Sequence, residues 1–379
     1  MISSDLRVDA YAKLLVERCL DVQPGMEVLI RTTHLAAPAV MALQREIARR
    51  GAYPILRIGF VMWPTNPPWA AEAPEALLEE LSDIDRFAVD RMDARITMDA
   101  PENTFDGTEL PADRFQLMKR GEHYFYRRTM ASEIPWVSCA YPTEGLAQAA
   151  GLTLSQFEDA LYGACLIDWD KEGERMRRYA EAFDAAEEVR IVGAGTDLRL
   201  SLADRHGEVD EGHTNMPGGE FFYSPNEDSA EGVIEFSEFP ASYQGHQFAG
   251  IRLEFRDGAV VNASAVKNEA TLHALLDRDE GSRRIGELGI GCNPGITRPL
   301  HHVLFDEKID GSIHLALGQS YEKVGGKNTS SIHWDIVKDL RPRLVPHHRA
   351  GPDGAGGQNQ GGRIEVDGKP VQENGRWLI

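Results

Sequence analysis

The chain has 379 residues, 42% apolar and 26% charged, with a formal net charge of −20. That length exceeds what one hydrophobic core usually serves, so two domains of a soluble globular protein are expected. The charge speaks against nucleic acid and against anionic membrane surfaces, both of which need clustered Lys and Arg; it suits cations, including metal ions and amine-bearing substrates.

The opening "MISSDLRVDAYAKLL" has no basic start followed by an apolar run, so no signal peptide is expected. No stretch approaches the ~20 apolar residues of a membrane span. Val8, Tyr11, Leu15 and Cys19 recur at helical spacing behind Asp5, a candidate N-cap. "QPGMEVLIRT" follows as a turn and a strand, "AAPAVMALQREIARRG" as a helix closed by Gly51, and "YPILRIGF" as a second strand. A helix is expected around "EALLEELSDI", strands at "RFAVD" and "ARITMDA", a helix near 111–132, and a strand at "PWVSCAYP". This alternation predicts βαβ units and a mostly parallel sheet, in an N-terminal α/β domain over 1–168. It carries no GxGxxG turn and no GxxxxGK loop, so no nucleotide site is expected.

Residues 169–188 read as a charged, Ala-rich helix joining the domains. Beyond it the character changes to strands: "EVRIVG", "DLRLSL", "GVIEFS", "IRLEFRDGAVVNASAV", "SIHLALG" and "SIHWDIV". "NEATLHALLDRDEGSRRIGELG" is the main helical stretch among them. The second domain, 169–379, is therefore expected to be mixed and β-rich. Residues 341–362, dense in Pro and Gly and containing His347 and His348, read as a flexible exposed loop. The end of the chain reads as a hairpin turning at Asp367-Gly368. Cys19, Cys139, Cys165 and Cys292 form no CxxC pair, which argues against a thiolate zinc site and a disulfide framework and for reduced cysteines in a cytoplasmic protein.

The chemistry-bearing residues lie in four segments of the second domain. In "NMPGGEFFYSP", Glu220 follows a tight turn and opens an apolar run; a turn-flanking glutamate in solvent is the plain alternative. In "IGELGIGCNPGI", Glu287 sits among glycines that allow close backbone approach, or ends a helix. In "DEKIDGSIHLALGQSY", Asp306 and Glu307 read as a solvated turn. His314 shares a strand face with Ala316 and Gly318, and Tyr321 is placed to reach back over it. In "SSIHWDIVKDL", His333 and Asp335 share one face and Trp334 takes the other; a structural His–Asp hydrogen bond is the simplest account of that pair alone.

Together these two Glu, two His, one Asp and one Tyr make an oxygen-rich, thiolate-free donor set. It suits Zn²⁺, Co²⁺ or Mn²⁺ and holds enough ligands for two ions sharing a carboxylate, the arrangement of a hydrolytic centre. HExxH is absent, as is the GxSxG elbow of a serine hydrolase.

"GTDLRLSL", "NMPGGEFFYSP", "GELGIGCNPGI", "LFDEKIDGSIHLALGQSY" and "NTSSIHWD" resemble, in order, the motifs of the aminopeptidase T family of metallo-aminopeptidases. The resemblance runs from about Gly193 to Asp335 and more loosely through the N-terminal segments. It implies a homodimer in which an α/β domain precedes a metal-binding domain with two divalent ions. By motif position it implies Glu220, Glu287, His314, His333 and Asp335 as ligands and Tyr321 as the site tyrosine. Glu287 is then the candidate bridge, Glu220 or Glu287 the candidate base, and Tyr321 the candidate oxyanion donor. The implied activity is hydrolysis of N-terminal peptide bonds. Three alternatives stand beside it: a hydrolase of a small non-peptide amide, a non-catalytic metal-binding protein, and a ring-cleaving dioxygenase of the 2,5-dihydroxypyridine type with one Fe(II) on His314, His333 and Asp335. The presence of both glutamates argues against the iron enzyme.

Overall fold

A computed structural model describes residues 5–61, 67–106, 110–344, 358–359 and 361–379. His347, His348 and most of the 341–362 stretch lie outside the described residues. The chain divides into two compact units: residues 1–167 with 212–218, and residues 168–211 with 219–379. The second of these units carries all six candidate site residues. The short return of 212–218 to the first unit leaves no mark in the hydrophobic pattern.

The first unit is built on a five-stranded sheet in the order Tyr53–Gly59, Glu27–Thr33, Ala94–Asp99, Trp136–Ala140, Asn215–Met216, with every pairing parallel. Asp5 caps the first helix, its carboxylate accepting the Arg7 N–H at 2.8 Å. "RFAVD" is a helix, not the expected strand: Asp83–Arg91 is helical throughout. Ser82 caps it by accepting the Asp85 N–H, and Asp83 and Asp85 favour its first turn. Of the two bulky apolar residues, Val89 is buried and Phe87 exposed, which is one face of a helix and not the core side of a strand.

The second unit opens with the helix Trp169–Asp184, which buries Met176, Tyr179, Ala180 and Phe183. Two sheets follow. One has eight strands and carries the C-terminal hairpin, whose Asp367-Gly368 turn has both residues at positive φ. The other has five, in the order His333–Asp339, Ser312–Gly318, Ile285–Gly291, Glu220–Tyr223, Glu208–Asp210, all antiparallel. Both sheets contribute to one apolar core: Val189, Ile191 and Leu198 from the first, Leu288, Ile290, Ile313, Leu315 and Trp334 from the second. "RIGELG" is not the end of the helical stretch. Helix Glu269–Leu276 and a short 3₁₀ turn precede it, and Ile285–Gly291 is a central strand with all seven residues buried. Neighbours on both sides saturate its backbone, which a helix in that slot cannot do.

Candidate metal centre

The five-stranded sheet has one apolar face and one polar face, and the alternation of its strands decides what the polar face carries. Across the Ile285–Gly291 and Ser312–Gly318 strands, Glu287 faces Ala316 and Gly289 faces His314. One strand further, Ala316 faces Asp335 and Gly318 faces His333. On the other side Gly291 faces Glu220. Carboxylates and imidazoles therefore share one face with Ala and Gly, so their heads converge. Gly289 is required there: a Cβ on it would stand 1.9 Å from Cε1 of His314. Gly219, at φ 108°, turns the chain into Glu220, and a Cβ there would meet Cβ of Asn293 at 2.6 Å.

Glu287 is central. Its Oε1 lies 3.3 Å from His314 Nε2, and its Oε2 lies 3.3 Å from His333 Nε2. Asp335 Oδ1 is 3.5 Å from His333 Nε2 and 3.9 Å from His314 Nε2. Glu220 Oε2 faces His314 Nε2 at 3.6 Å. The donors form two overlapping groups, Glu220–Glu287–His314 and Glu287–His333–Asp335, in each of which the ligand atoms lie within 4.8 Å of one another. The Tyr321 hydroxyl stands 3.5 Å from His333 Nε2, and its ring packs against Phe222 and His333 while remaining 38% exposed. Five of the six residues singled out from the sequence thus meet on one sheet face, and Tyr321 reaches them from the turn after Ser312–Gly318.

Each imidazole is oriented from behind. His314 Nδ1 donates to the Glu307 carbonyl at 3.1 Å and His333 Nδ1 to the Gln319 carbonyl at 2.7 Å. That turns both Nε2 atoms toward the carboxylates, the orientation a metal ligand needs. Burial works against a charged imidazole at His314, yet the Glu287 hydrogen bond and the Glu220, Glu287 and Asp335 charges overcome it and pull its pKa up to about 10. Burial likewise opposes ionisation of Glu287, but hydrogen bonds from His314 and His333 hold its carboxyl below the usual range. The cluster thus selects positive charge.

Two residues escape sequence reasoning. Lys308 is 0% exposed at its side chain, with Nζ 3.1 Å from Glu220 Oε1 and paired also with Glu307. Burial disfavours its ammonium, but the Glu220, Glu307 and Asp210 carboxylates raise its pKa and keep it charged. Asp306 and Glu307 are accordingly not a solvated turn. Asp306 is buried and accepts the Leu300 N–H at 2.6 Å, and Glu307 faces the buried lysine. Asp279 is the other. It accepts from Ser330 Oγ at 2.7 Å, from Ser331 N and Oγ at 2.8 and 2.6 Å, and from Ser282 N and Oγ at 2.9 Å each. It thereby ties down the segment that leads into His333. The only signal in the sequence was the Ser pair ahead of the strand.

The donor set fits a divalent cation. Glu220 Oε2 is buried and has no hydrogen-bond partner among the described residues. Nitrogen and oxygen donors 3.3–3.9 Å apart are spaced as ligands of one ion are when each bond is about 2.0–2.2 Å. Imidazole with carboxylate, without thiolate, suits Zn²⁺, Co²⁺ or Mn²⁺.

The chain is 31% identical over 310 residues to aminopeptidase T of Thermus aquaticus, covering 71% of this chain and 73% of that one. The solved structure of AmpT from Thermus thermophilus superposes with a TM-score of 0.81 at 22% identity, covering 99% of both chains. That of a 2,5-dihydroxypyridine dioxygenase from Pseudomonas putida superposes with a TM-score of 0.60 at 16% identity, covering 100% of this chain and 98% of that one. Both likenesses speak for the shared fold, an α/β unit with a parallel sheet and further antiparallel sheets. Residues 4–377 match one family from end to end, and on that match the chain belongs to the thermophilic metalloprotease (M29) family.

Proposed function

We propose that this metalloprotease is an aminopeptidase whose centre takes two divalent cations. Glu220, Glu287 and His314 would hold one and Glu287, His333 and Asp335 the other, Glu287 being common to both groups. The observation that carries this reading is the division of Glu287 between two imidazoles, one oxygen to His314 and the other to His333, each at 3.3 Å. Bound there, such cations polarise a scissile carbonyl and make a water nucleophilic near neutral pH. The chain's own part is to orient and to exchange protons. One of the two glutamates, Glu220 or Glu287, takes up the proton of a water at the centre, which requires one of its oxygens to leave its cation. Tyr321, with its hydroxyl over His333, donates a hydrogen bond to the carbonyl oxygen as negative charge develops on it. The acidic surroundings and the net charge of −20 favour a substrate with a free amino terminus.

A cytoplasmic homodimer is the setting we propose. Four free, buried cysteines suit a reducing compartment, and no helix among the described residues is long and apolar enough to cross a membrane. Metal analysis with a panel of amino-acid p-nitroanilides, before and after chelation, tests the reading. Two ions per chain and chelator-sensitive release of p-nitroaniline are expected. One iron per chain with oxygen uptake on a hydroxypyridine would overturn it in favour of the dioxygenase chemistry named for the Pseudomonas structure.

A further inference from the structure

The second unit buries two lysines, and they differ in what they face. Lys338 donates to the Glu235 carbonyl at 2.7 Å and pairs with Glu238 at 3.1 Å, away from every candidate ligand. Lys308 faces the centre. It follows the short helix Val303–Asp306, and its carbonyl accepts the Asn293 N–H at 2.9 Å. From this anchored turn two adjacent residues reach the same group of donors. The Glu307 carbonyl orients His314, and the Lys308 ammonium sits on Oε1 of Glu220. The other oxygen of Glu220 is the one that faces His314 Nε2.

We propose that Lys308 is a positioning residue that makes Glu220 a one-oxygen ligand: it occupies Oε1 and leaves Oε2 alone for a cation. This rests on the ligand set proposed above. Glu220 has two equivalent oxygens, and a free carboxylate binds a cation through either or both. A buried ammonium fixed on one of them removes that choice. It also stands between Glu220 and Glu307, two buried carboxylates that would otherwise repel each other. The consequence is local. The Glu220–Glu287–His314 position depends on Lys308 directly, through the ion pair with Glu220, whereas in the other group Asp335 feels only its charge, so loss of the lysine falls mainly on the first position.

The test is zinc titration of the chelator-treated full chain by calorimetry, with zinc content measured after gel filtration. Wild type is expected to hold two zinc ions. Lys308→Met is expected to retain one with near-wild-type affinity and to bind the other about tenfold or more weakly. Lys338→Met, which removes a buried lysine elsewhere, is expected to keep both. Folded Lys308→Met that binds both ions as wild type does, or loses both equally, overturns the inference. Failure of the ligand set itself looks different: Glu220→Gln would then match wild type in zinc content. Should Lys308→Met not accumulate in soluble form, a crystal structure of the zinc-loaded wild type decides. Glu220 bound through Oε2 with Lys308 still on Oε1 is expected; both oxygens on zinc with Lys308 displaced overturns the inference.

Discussion

Gly289 lies directly across the sheet from His314, and the imidazole occupies the space a side chain at 289 would need. A Cβ 1.9 Å from Cε1 leaves no room for adjustment, because His314 is itself fixed from behind by the Glu307 carbonyl. Gly289→Ala is therefore expected to push the ring off Glu287 and to lower catalytic efficiency and zinc affinity by about 10–100-fold, the scale of a disturbed ligand orientation. The control is Gly163→Ala, in helix Leu154–Cys165, where a Cβ meets nothing within 4 Å. That change should leave activity alone and stabilise slightly, by up to about 1 kcal/mol, because alanine is the better helix former. Activity measurements and thermal melts on both variants check the pair.

Glu287→Gln and Asp335→Asn separate the two positions. Glu287 belongs to both donor groups and Asp335 to one. Glu287→Gln is expected to cut zinc content toward zero, and Asp335→Asn to cut it toward one per chain. Both should abolish most of the activity, with losses at least as large as the about 10–100-fold that an outer partner costs. Elemental analysis of the purified variants reads this out. Equal zinc content in the two would argue against a shared carboxylate.

Tyr321→Phe removes the hydroxyl and keeps the ring contacts with Phe222 and His333. If the hydroxyl serves the developing oxyanion, kcat falls by about 10²–10³-fold, with KM and zinc content little changed. A KM effect without a kcat effect would instead assign Tyr321 to substrate binding.

Much of this centre is legible in the sequence because strands report their faces. The alternation around His314, and around His333 and Asp335, places those three on the polar side without any knowledge of the neighbours. Lys308 is not legible in that way. "FDEKIDG" reads as a hydrophilic turn, and what its buried lysine pairs with is Glu220, 88 residues earlier (308 − 220), on a strand two removed from Ser312–Gly318, the strand that Lys308 leads into. Glu287 shows the converse. Charged and apolar residues upstream suggest a helix running through it, but only the neighbouring strands, themselves remote in sequence, settle the segment as extended. "RFAVD" fails for a third reason. Three apolar residues between Arg86 and Asp90 carry no reliable period, and the decisive signal was the Ser82 cap outside them.

Asp279 makes a prediction about pH. Burial opposes its ionisation, yet hydrogen bonds from Ser331, Ser330 and Ser282 outweigh that and hold its carboxyl well below the ordinary range. A carboxyl whose pKa is lower folded than unfolded binds fewer protons in the native state. Its stabilising effect is thus fully present above the unfolded value of about 3.9 and is lost as pH falls through the lower, folded value. Asp279→Asn keeps one acceptor oxygen but no charge. Its melting temperature should lie below that of wild type near neutral pH, and the gap should narrow steadily as pH falls below about 4, the range in which the wild-type carboxyl loses its advantage. The same residue tethers the Ser330–Ser331 approach to His333, so the variant should also bind its second zinc more weakly at neutral pH. Melting curves across pH, with zinc titration at neutral pH, measure both effects. A gap that stays constant down the pH scale would mean that Asp279 acts there by shape and not by charge.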